Sequence, residues 1–218
     1  MRAVIWDCDG VLVDSEPHSV ASWVTVLGRF GSAVTEADVE GCLGLGYPET
    51  FARLASFPSA DPIPGPDDLW PLLMEAIGVS FGSFLPPFPD ALETIEALSG
   101  RGIRQGVATS SKRSRVELAL ERSRLTDWFS VIVAGDEVEK SKPAPDVYLA
   151  AAELLGAVPS ECVAVEDSSK GCRAAIGAGM PVSGVVRVEQ EREPMREMGA
   201  AVVDEVGIGL VLELLTSP

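Results

Sequence analysis

The sequence is poor in the residues that most often bind zinc or form disulfides. It has four cysteines in 218 residues, no two of them spaced as C-x-x-C, and His18 is its one histidine. This composition argues against a zinc site, and it is typical of a protein whose thiols stay reduced. We therefore expect a cytoplasmic protein.

Long apolar runs and positive charge are also scarce. No apolar run approaches 18 residues, and the opening MRAVIWDCDG reaches charged residues at once, so we expect neither a membrane span nor a signal peptide. Lysine and arginine number 17 against 33 acidic residues, which gives a net charge of -16. Such a chain repels phosphate backbones, so we expect no nucleic-acid partner. A phosphorylated small molecule would need a cation and a few lysines to neutralise its charge locally.

The apolar residues that are present, 46% of the chain, are arranged as alternating strand and helix patterns. Short continuous apolar runs predict buried parallel strands at Ala3–Trp6, Gln105–Ala108, Val131–Ala134, Cys162–Val165, Val182–Val186 and Ala201–Val203. Helical patterns lie at Ala91–Ser99, Arg113–Ser123, Asp146–Leu155, Lys170–Ala178 and Gly207–Leu215. The alternation predicts an α/β fold, a Rossmann-like doubly wound parallel sheet.

Residues 15–85 interrupt this alternation, because they contain no clear strand. Helical patterns lie there at Ser19–Phe30, Thr35–Cys42, Pro48–Ser56 and Asp67–Ile77, and Thr35-x-x-Asp38 resembles a helix N-cap. We predict a small helical domain, residues 15–85, inserted into an α/β core domain made of residues 1–14 and 86–218.

The first predicted strand runs into two carboxylates, Asp7 and Asp9, followed by Gly10. Residues two apart on a strand share a face, and α/β sheets bind ligands beyond the carboxyl ends of their strands. The pair suits a hard-metal site with one nucleophilic carboxylate and one general acid/base. The alternative is an acidic turn in which Gly10 serves only the backbone.

Three more polar segments follow later strands. Thr109, Ser110 and Ser111 could cradle a phosphate or simply cap a helix. Lys142, in a proline-rich loop, could bind a phosphate and a carboxylate, or could be solvated. Glu166 and Asp167 could bind magnesium or merely form a polar strand end.

Taken in order, these four motifs resemble the haloacid dehalogenase superfamily over nearly the whole chain. The stretches DCDGVLVDSEP, KSKPAPDVY and VEDSSKG are similar to its branch of small sugar phosphatases and β-phosphoglucomutase-like proteins. The resemblance implies that Asp7 is the nucleophile and Asp9 the general acid/base. It implies phosphate binding by Thr109, Ser110 and Lys142. It also implies Mg²⁺ held by Asp7, the Asp9 carbonyl and Asp167, with Glu166 close by.

The resemblance further implies that residues 15–85 form a helical cap, with hinges near residues 14–17 and 85–89. Gly44–Tyr47 matches the position of the cap's substrate-selecting loop, although a glycine-containing turn between helices explains it equally well.

The motifs leave phosphatase and mutase open. β-Phosphoglucomutases carry a cap histidine at the position that Ser19 occupies here, and His18 falls one residue short. His18 is therefore either a displaced mutase residue or an ordinary histidine at a helix start. A non-catalytic binding protein is the third possibility, but every motif residue is intact. We expect a monomeric phosphatase of a small phosphorylated metabolite, a sugar phosphate, with a hexose-phosphate mutase as the alternative.

Overall fold

The computed structural model describes residues 2–216 and divides into two compact units. Unit 1 contains the chain up to Asp14 and from Pro86 onwards, and unit 2 is Ser15–Leu85. Among residues 2–216, no helix combines the length and the apolar composition needed to cross a bilayer.

Unit 1 is built on a six-stranded parallel sheet, as the sequence predicted. The strands are β1 (Ala3–Trp6), β2 (Arg104–Ala108), β3 (Val131–Val133), β4 (Cys162–Glu166), β5 (Val182–Val185) and β6 (Ala201–Val203). Their order in the sheet is β3-β2-β1-β4-β5-β6, and every neighbouring pair is parallel. β1 lies where the winding reverses direction, and ligands of such sheets bind beyond the carboxyl ends of the strands at that point.

Unit 2 consists of helices. They are α1 (Glu16–Gly28), α2 (Glu36–Glu40), α3 (Tyr47–Leu54) and α4 (Pro66–Phe81). Trp23, Leu27, Leu69 and Leu73 belong to one apolar core, which gives this unit its own hydrophobic interior. The Thr35 hydroxyl accepts the Asp38 N–H, and the Asp38 carboxylate accepts the Thr35 N–H, so the predicted N-cap is a full capping box.

Among the residues that the structure describes, unit 1 also contains six α-helices. They are α5 (Pro89–Ser99), α6 (Arg113–Ser123), α7 (Asp146–Leu154), α8 (Ser169–Gly177), α9 (Arg192–Glu197) and α10 (Ile208–Thr216). Alanines 151 and 152 of α7 and 174 and 175 of α8 are fully buried in the core cluster that includes the strands. The sequence did not predict α9, because its six residues bury a single side chain, Met195, and so carry no helical periodicity.

The two chain segments that link the units are tied together inside unit 1. Val13 forms a bridge with Pro87, and the Phe88 N–H donates to the Leu12 carbonyl over 2.9 Å. The chain therefore leaves unit 1 and returns to it at one place, immediately beyond the loop that carries Asp7 and Asp9.

Candidate active site

Asp7 follows β1 directly and is held by the sheet. Its N–H donates to the Val165 carbonyl over 3.0 Å, which extends the pairing of β1 with β4. Its side chain is 11% exposed, and Oδ1 accepts a hydrogen bond from Lys142 Nζ at 2.6 Å. Burial raises the pKa of Asp7 to about 7, the Lys142 charge opposes this rise, and Glu166 and Asp9 add to it.

Lys142 lies between two carboxylates. Its Nζ donates to Glu166 Oε1 at 2.5 Å as well as to Asp7, and it lies 4.9 Å from the centroid of the Tyr148 ring. Burial lowers the pKa of Lys142, but the adjacent Asp7 and Glu166 carboxylates outweigh burial and raise it above the ordinary value. Lys142 is therefore a fixed cation beside the predicted nucleophile.

Glu166, at the end of β4, is fully buried and bonded through both of its oxygens. Oε1 accepts from Lys142 and from the Tyr148 hydroxyl at 2.7 Å. Oε2 accepts from the Asp167 N–H at 3.2 Å and from the Ser168 hydroxyl at 3.3 Å. These bonds make Glu166 an anchor that fixes the Lys142 ammonium.

Asp7, Glu166 and Asp167 form a carboxylate group: one oxygen of each lies within 4.8 Å of the chosen oxygens of the other two. A set made only of carboxylate oxygens suits a hard cation such as Mg²⁺ better than zinc or copper. Gly10 closes one side of this group: its φ is +81°, and a Cβ there would lie 1.9 Å from Asp167 Oδ2. The residues present therefore fit a magnesium ion.

The Asp9 carboxylate lies outside this group. The Ser111 hydroxyl donates to its Oδ2 at 2.6 Å, and Arg115 donates to its Oδ1 at 3.0 Å. The pairing with β4 extends as far as Asp7, Asp9 lies two residues beyond it, and the two carboxylates have different partners. Asp9 is still close enough to Asp7 to raise its pKa.

The turn between β2 and α6 holds the two remaining predicted residues. Thr109 is buried, its N–H donates to the Val133 carbonyl, and its hydroxyl accepts the Ser111 N–H at 3.1 Å. Gly135 packs on this turn, because a Cβ there would lie 2.4 Å from the Ser110 carbonyl oxygen. In the sheet register, Trp6 of β1 pairs with Val107 of β2 and with Val165 of β4. Asp7, Thr109 and Glu166 follow these paired residues by one or two positions, so all three lie at the carboxyl ends of neighbouring strands.

A partly buried arginine also supports the loop. Arg187 Nε donates to the Gly10 carbonyl at 3.2 Å, and its guanidinium binds both oxygens of Asp90 at 2.9 and 3.0 Å. The same arginine lies over the Phe88 ring, 3.9 Å from its centroid. The loop after β1 is thus fixed to the start of α5 and to the segment after β5.

Sequence reasoning missed several residues that shape this site. Gly171 had a usable signal, since glycine is disfavoured inside a helix and so indicates close packing, and a Cβ there would lie 1.9 Å from Glu166 Oε1. Tyr148 falls within the KSKPAPDVY stretch but had no assigned role. Arg115 gave no signal at all, because a basic residue on an amphipathic helix is usually solvated.

Comparison with known proteins identifies the family. The family model described as haloacid dehalogenase-like hydrolase matches residues 4–185. The chain is 30% identical over 218 residues to a "Phosphorylated carbohydrates phosphatase" of Thermotoga maritima, covering 92% of each protein. It is 32% identical over 221 residues to the Arabidopsis thaliana protein SUPPRESSOR OF QUENCHING 1, covering 99% of this chain but only 21% of that much longer protein.

A solved structure extends this comparison to three dimensions. CbbY from Rhodobacter sphaeroides, crystallised as a mutant with xylulose-(1,5)bisphosphate, superposes with a TM-score of 0.81 at 28% identity, covering 94% of each chain. The chain therefore belongs to the haloacid dehalogenase-like hydrolase family, in its sugar-phosphatase-like branch, as the four motifs predicted.

Proposed function

We propose that this protein is a magnesium-dependent phosphatase that hydrolyses a small sugar phosphate through an aspartyl-phosphate on Asp7. The observation that carries the proposal is the buried Asp7 carboxylate, bound by Lys142 at 2.6 Å and grouped with Asp167 and Glu166. The Thermotoga relative is named for phosphorylated carbohydrates, and the CbbY structure contains a sugar bisphosphate, which supports the substrate class.

The proposed reaction has two steps. In the first, an Asp7 oxygen attacks phosphorus, the bond to the sugar oxygen breaks, and Asp9 in its acid form donates a proton to that oxygen. In the second, water attacks phosphorus, the Asp9 carboxylate takes a proton from the water, and the bond to Asp7 breaks. Orthophosphate leaves, and both aspartates return to their starting states.

The remaining predicted residues bind the phosphoryl oxygens and balance charge. The Thr109 hydroxyl, the Ser110 N–H and the Lys142 ammonium would hold these oxygens, because phosphoryl transfer depends mainly on positioning and charge neutralisation. Asp7, Asp167 and the Asp9 carbonyl would hold Mg²⁺, with Glu166 beside them. The bound ion supplies positive charge that offsets the repulsion between the phosphate and Asp7.

Unit 2 is the proposed cap, and its Gly44–Tyr47 loop is the proposed substrate-selecting segment. Tyr47, the last residue of this segment, is anchored within the unit. The Tyr47 ring stacks on Trp23 and packs edge-on against Trp70, and its hydroxyl donates to the Pro66 carbonyl. A cap of this kind would exclude bulk water and contact the sugar.

The contacts of His18 favour a phosphatase over a mutase. Ser19, at the position of the mutase histidine, is buried. His18 Nδ1 is hydrogen-bonded to the Ser80 hydroxyl at 2.8 Å, and its ring packs edge-on against Phe81. His18 is therefore fixed to α4 inside unit 2, which fits the ordinary helix-start histidine better than a displaced catalytic residue.

The proposal is tested by measuring orthophosphate release from a panel of phosphorylated sugars, polyols and nucleotides, with Mg²⁺ and with chelator. We expect magnesium-dependent release that is fastest with a sugar phosphate and is lost in Asp7→Asn. Asp127→Asn is the control, because it makes the same chemical change at an exposed position. Release that survives in Asp7→Asn contradicts the nucleophile assignment. Absence of release from every compound contradicts the phosphatase, and β-glucose 1-phosphate with a bisphosphate primer then tests the mutase.

A further inference from the structure

Both oxygens of the Asp9 carboxylate are bound by donors from one segment. Ser111 lies in the turn after β2, and Arg115 lies in the first turn of α6. The side chains of Asp9 and Arg115 are 21% and 18% exposed, so solvent screens their ion pair less than it screens a pair on the open surface.

The backbones of both partners of this ion pair are held in place. Arg115 belongs to an eleven-residue helix that is anchored in the core by Val116 and Ala119. Asp9 lies past the end of β1, in a loop held by its bridge to Val13 and by the hydrogen bond from Arg187 to the Gly10 carbonyl. Because both backbones are fixed, the planar guanidinium helps to determine where the Asp9 carboxylate points.

We propose that Arg115 is a positioning residue for proton transfer, which together with Ser111 holds the Asp9 carboxyl in line with the leaving oxygen. This inference rests on the proposed function, in which Asp9 is the general acid/base. A general acid acts only within hydrogen-bond reach of the atom that it protonates, and a small displacement lowers the rate steeply. Arg115 binds the carboxylate of Asp9, whereas the carboxylate of Asp7 is bound by Lys142, so the influence of Arg115 on the reaction passes through Asp9.

The chemistry of the leaving group separates positioning from general structural support. A sugar alkoxide is a poor leaving group and needs a proton from Asp9 as the bond to phosphorus breaks. p-Nitrophenolate is a stable anion that leaves without a proton. Loss of a residue that positions the acid should therefore slow the first step much more with a sugar phosphate than with p-nitrophenyl phosphate, whereas general damage to the fold slows that step alike with both esters.

The experiment compares Arg115→Ala and Arg115→Lys with Arg122→Ala. Arg122 is a matched control, since it lies on the same helix two turns further on. We measure kcat/KM, which reports the first step and not the hydrolysis of the aspartyl-phosphate that both esters share, for p-nitrophenyl phosphate and for the sugar phosphate that the wild-type protein hydrolyses fastest. Circular dichroism checks folding. We expect Arg115→Ala to lower kcat/KM for the sugar phosphate at least about tenfold and that for the aryl ester less than about threefold. Arg115→Lys should recover part of the loss, and Arg122→Ala should keep the wild-type ratio of the two rates.

Three results would overturn the inference: an equal loss with both esters, no loss with either, or a faster reaction of the sugar phosphate in Arg115→Ala. If Arg115→Ala does not fold, Arg115→Gln and Arg115→Lys give the same comparison, with the charge removed in one and kept in the other. If the wild-type protein hydrolyses neither ester, the proposed function itself is overturned. If the wild-type protein hydrolyses both esters and the Arg115 variants keep its rate ratio, only the role of Arg115 is overturned.

Discussion

Asp7 carries its charge at a position where burial opposes ionisation. Burial raises the pKa of this carboxyl to about 7, and the Lys142 ammonium at 2.6 Å counters the rise. The proposed nucleophilic role of Asp7 requires the ionised form, which this cation favours and a bound metal ion would favour further. Poor solvation of Asp7 is also useful, because a carboxylate with little water around it is free to attack phosphorus.

The raised pKa predicts how stability depends on pH. The pKa of Asp7 rises from 3.8 to about 7 on folding, so its contribution to stability is full below about pH 3.8 and is lost as pH rises to about 7. Asp7→Asn has no such titration. In chelator, we expect the Tm of the variant relative to wild type to rise between about pH 4 and pH 7 and then to level off. Thermal melts across this range test the prediction, and a constant difference for Asp7→Asn would refute it.

Tyr148 offers a second test at the scale of single residues. Its hydroxyl donates to the fully buried Glu166 at 2.7 Å, so Tyr148→Phe leaves a buried carboxylate with one donor fewer. We expect the free energy of unfolding to fall by about 2 kcal/mol, as for a hydrogen bond to a charged group. Urea denaturation measures the change. The control is Tyr47→Phe, whose hydroxyl donates to a neutral carbonyl in a more exposed setting, and an equal cost for both variants would contradict the anchoring role of Tyr148.

At the scale of secondary-structure elements, the site depends on close approaches that only glycine allows. Gly171 brings the start of α8 against the side chain at the end of β4, since a Cβ there would lie 1.9 Å from Glu166 Oε1. Gly177 lies at the end of the same helix, and a Cβ there would come no closer than 3.8 Å to any neighbour. Packing therefore requires only the first of these two glycines.

Replacing each of these two glycines with alanine should change the free energy of unfolding in opposite directions. Gly177→Ala should raise the free energy of unfolding by up to about 1 kcal/mol, because alanine is the better helix former. Gly171→Ala should lower it and should also slow phosphate release, because Glu166 must move and Lys142 with it. Urea denaturation and the phosphate assay measure both effects. A Gly171→Ala protein that is as stable and active as Gly177→Ala would show that the packing of α8 on Glu166 is unimportant.

The elements that could be predicted are those with a local signal. Continuous apolar runs located the six strands of the sheet to within about one residue. Both faces of a buried parallel strand are covered, so its consecutive residues are apolar and the strand is visible in the local sequence. Contacts between distant residues had no such signal. Arg115 binds Asp9 across 106 positions and Tyr148 binds Glu166 across 18, so only the folded chain reveals these pairs. The sequence singled out Asp7, Thr109 and Glu166 because each lies at or directly after the end of a predicted strand, whereas Lys142 lies in a loop well beyond β3.

At the scale of the whole molecule, a chain with a net charge of -16 gathers three carboxylates at one sheet edge. Binding of Mg²⁺ to the folded state alone should stabilise it in proportion to the logarithm of metal concentration. We expect Mg²⁺ to raise Tm in wild type and in Asp127→Ala, at matched ionic strength, and to have little effect in Asp167→Ala. The same rise in all three proteins would mean that Mg²⁺ acts on the acidic surface and not at this group.

The central claim is that the phosphoryl group passes through Asp7, and trapping it there is the most direct test. Asp9→Asn removes the base of the second step, whereas p-nitrophenyl phosphate needs no acid in the first, so the intermediate should accumulate. The measurement is mass spectrometry of Asp9→Asn mixed with this ester and Mg²⁺ and quenched in acid. We predict one added phosphoryl group on the peptide that contains Asp7, and none when Asp7 is also replaced by Asn. Hydrolysis of the ester without any phosphorylated Asp7, or a label on another residue, would contradict the account.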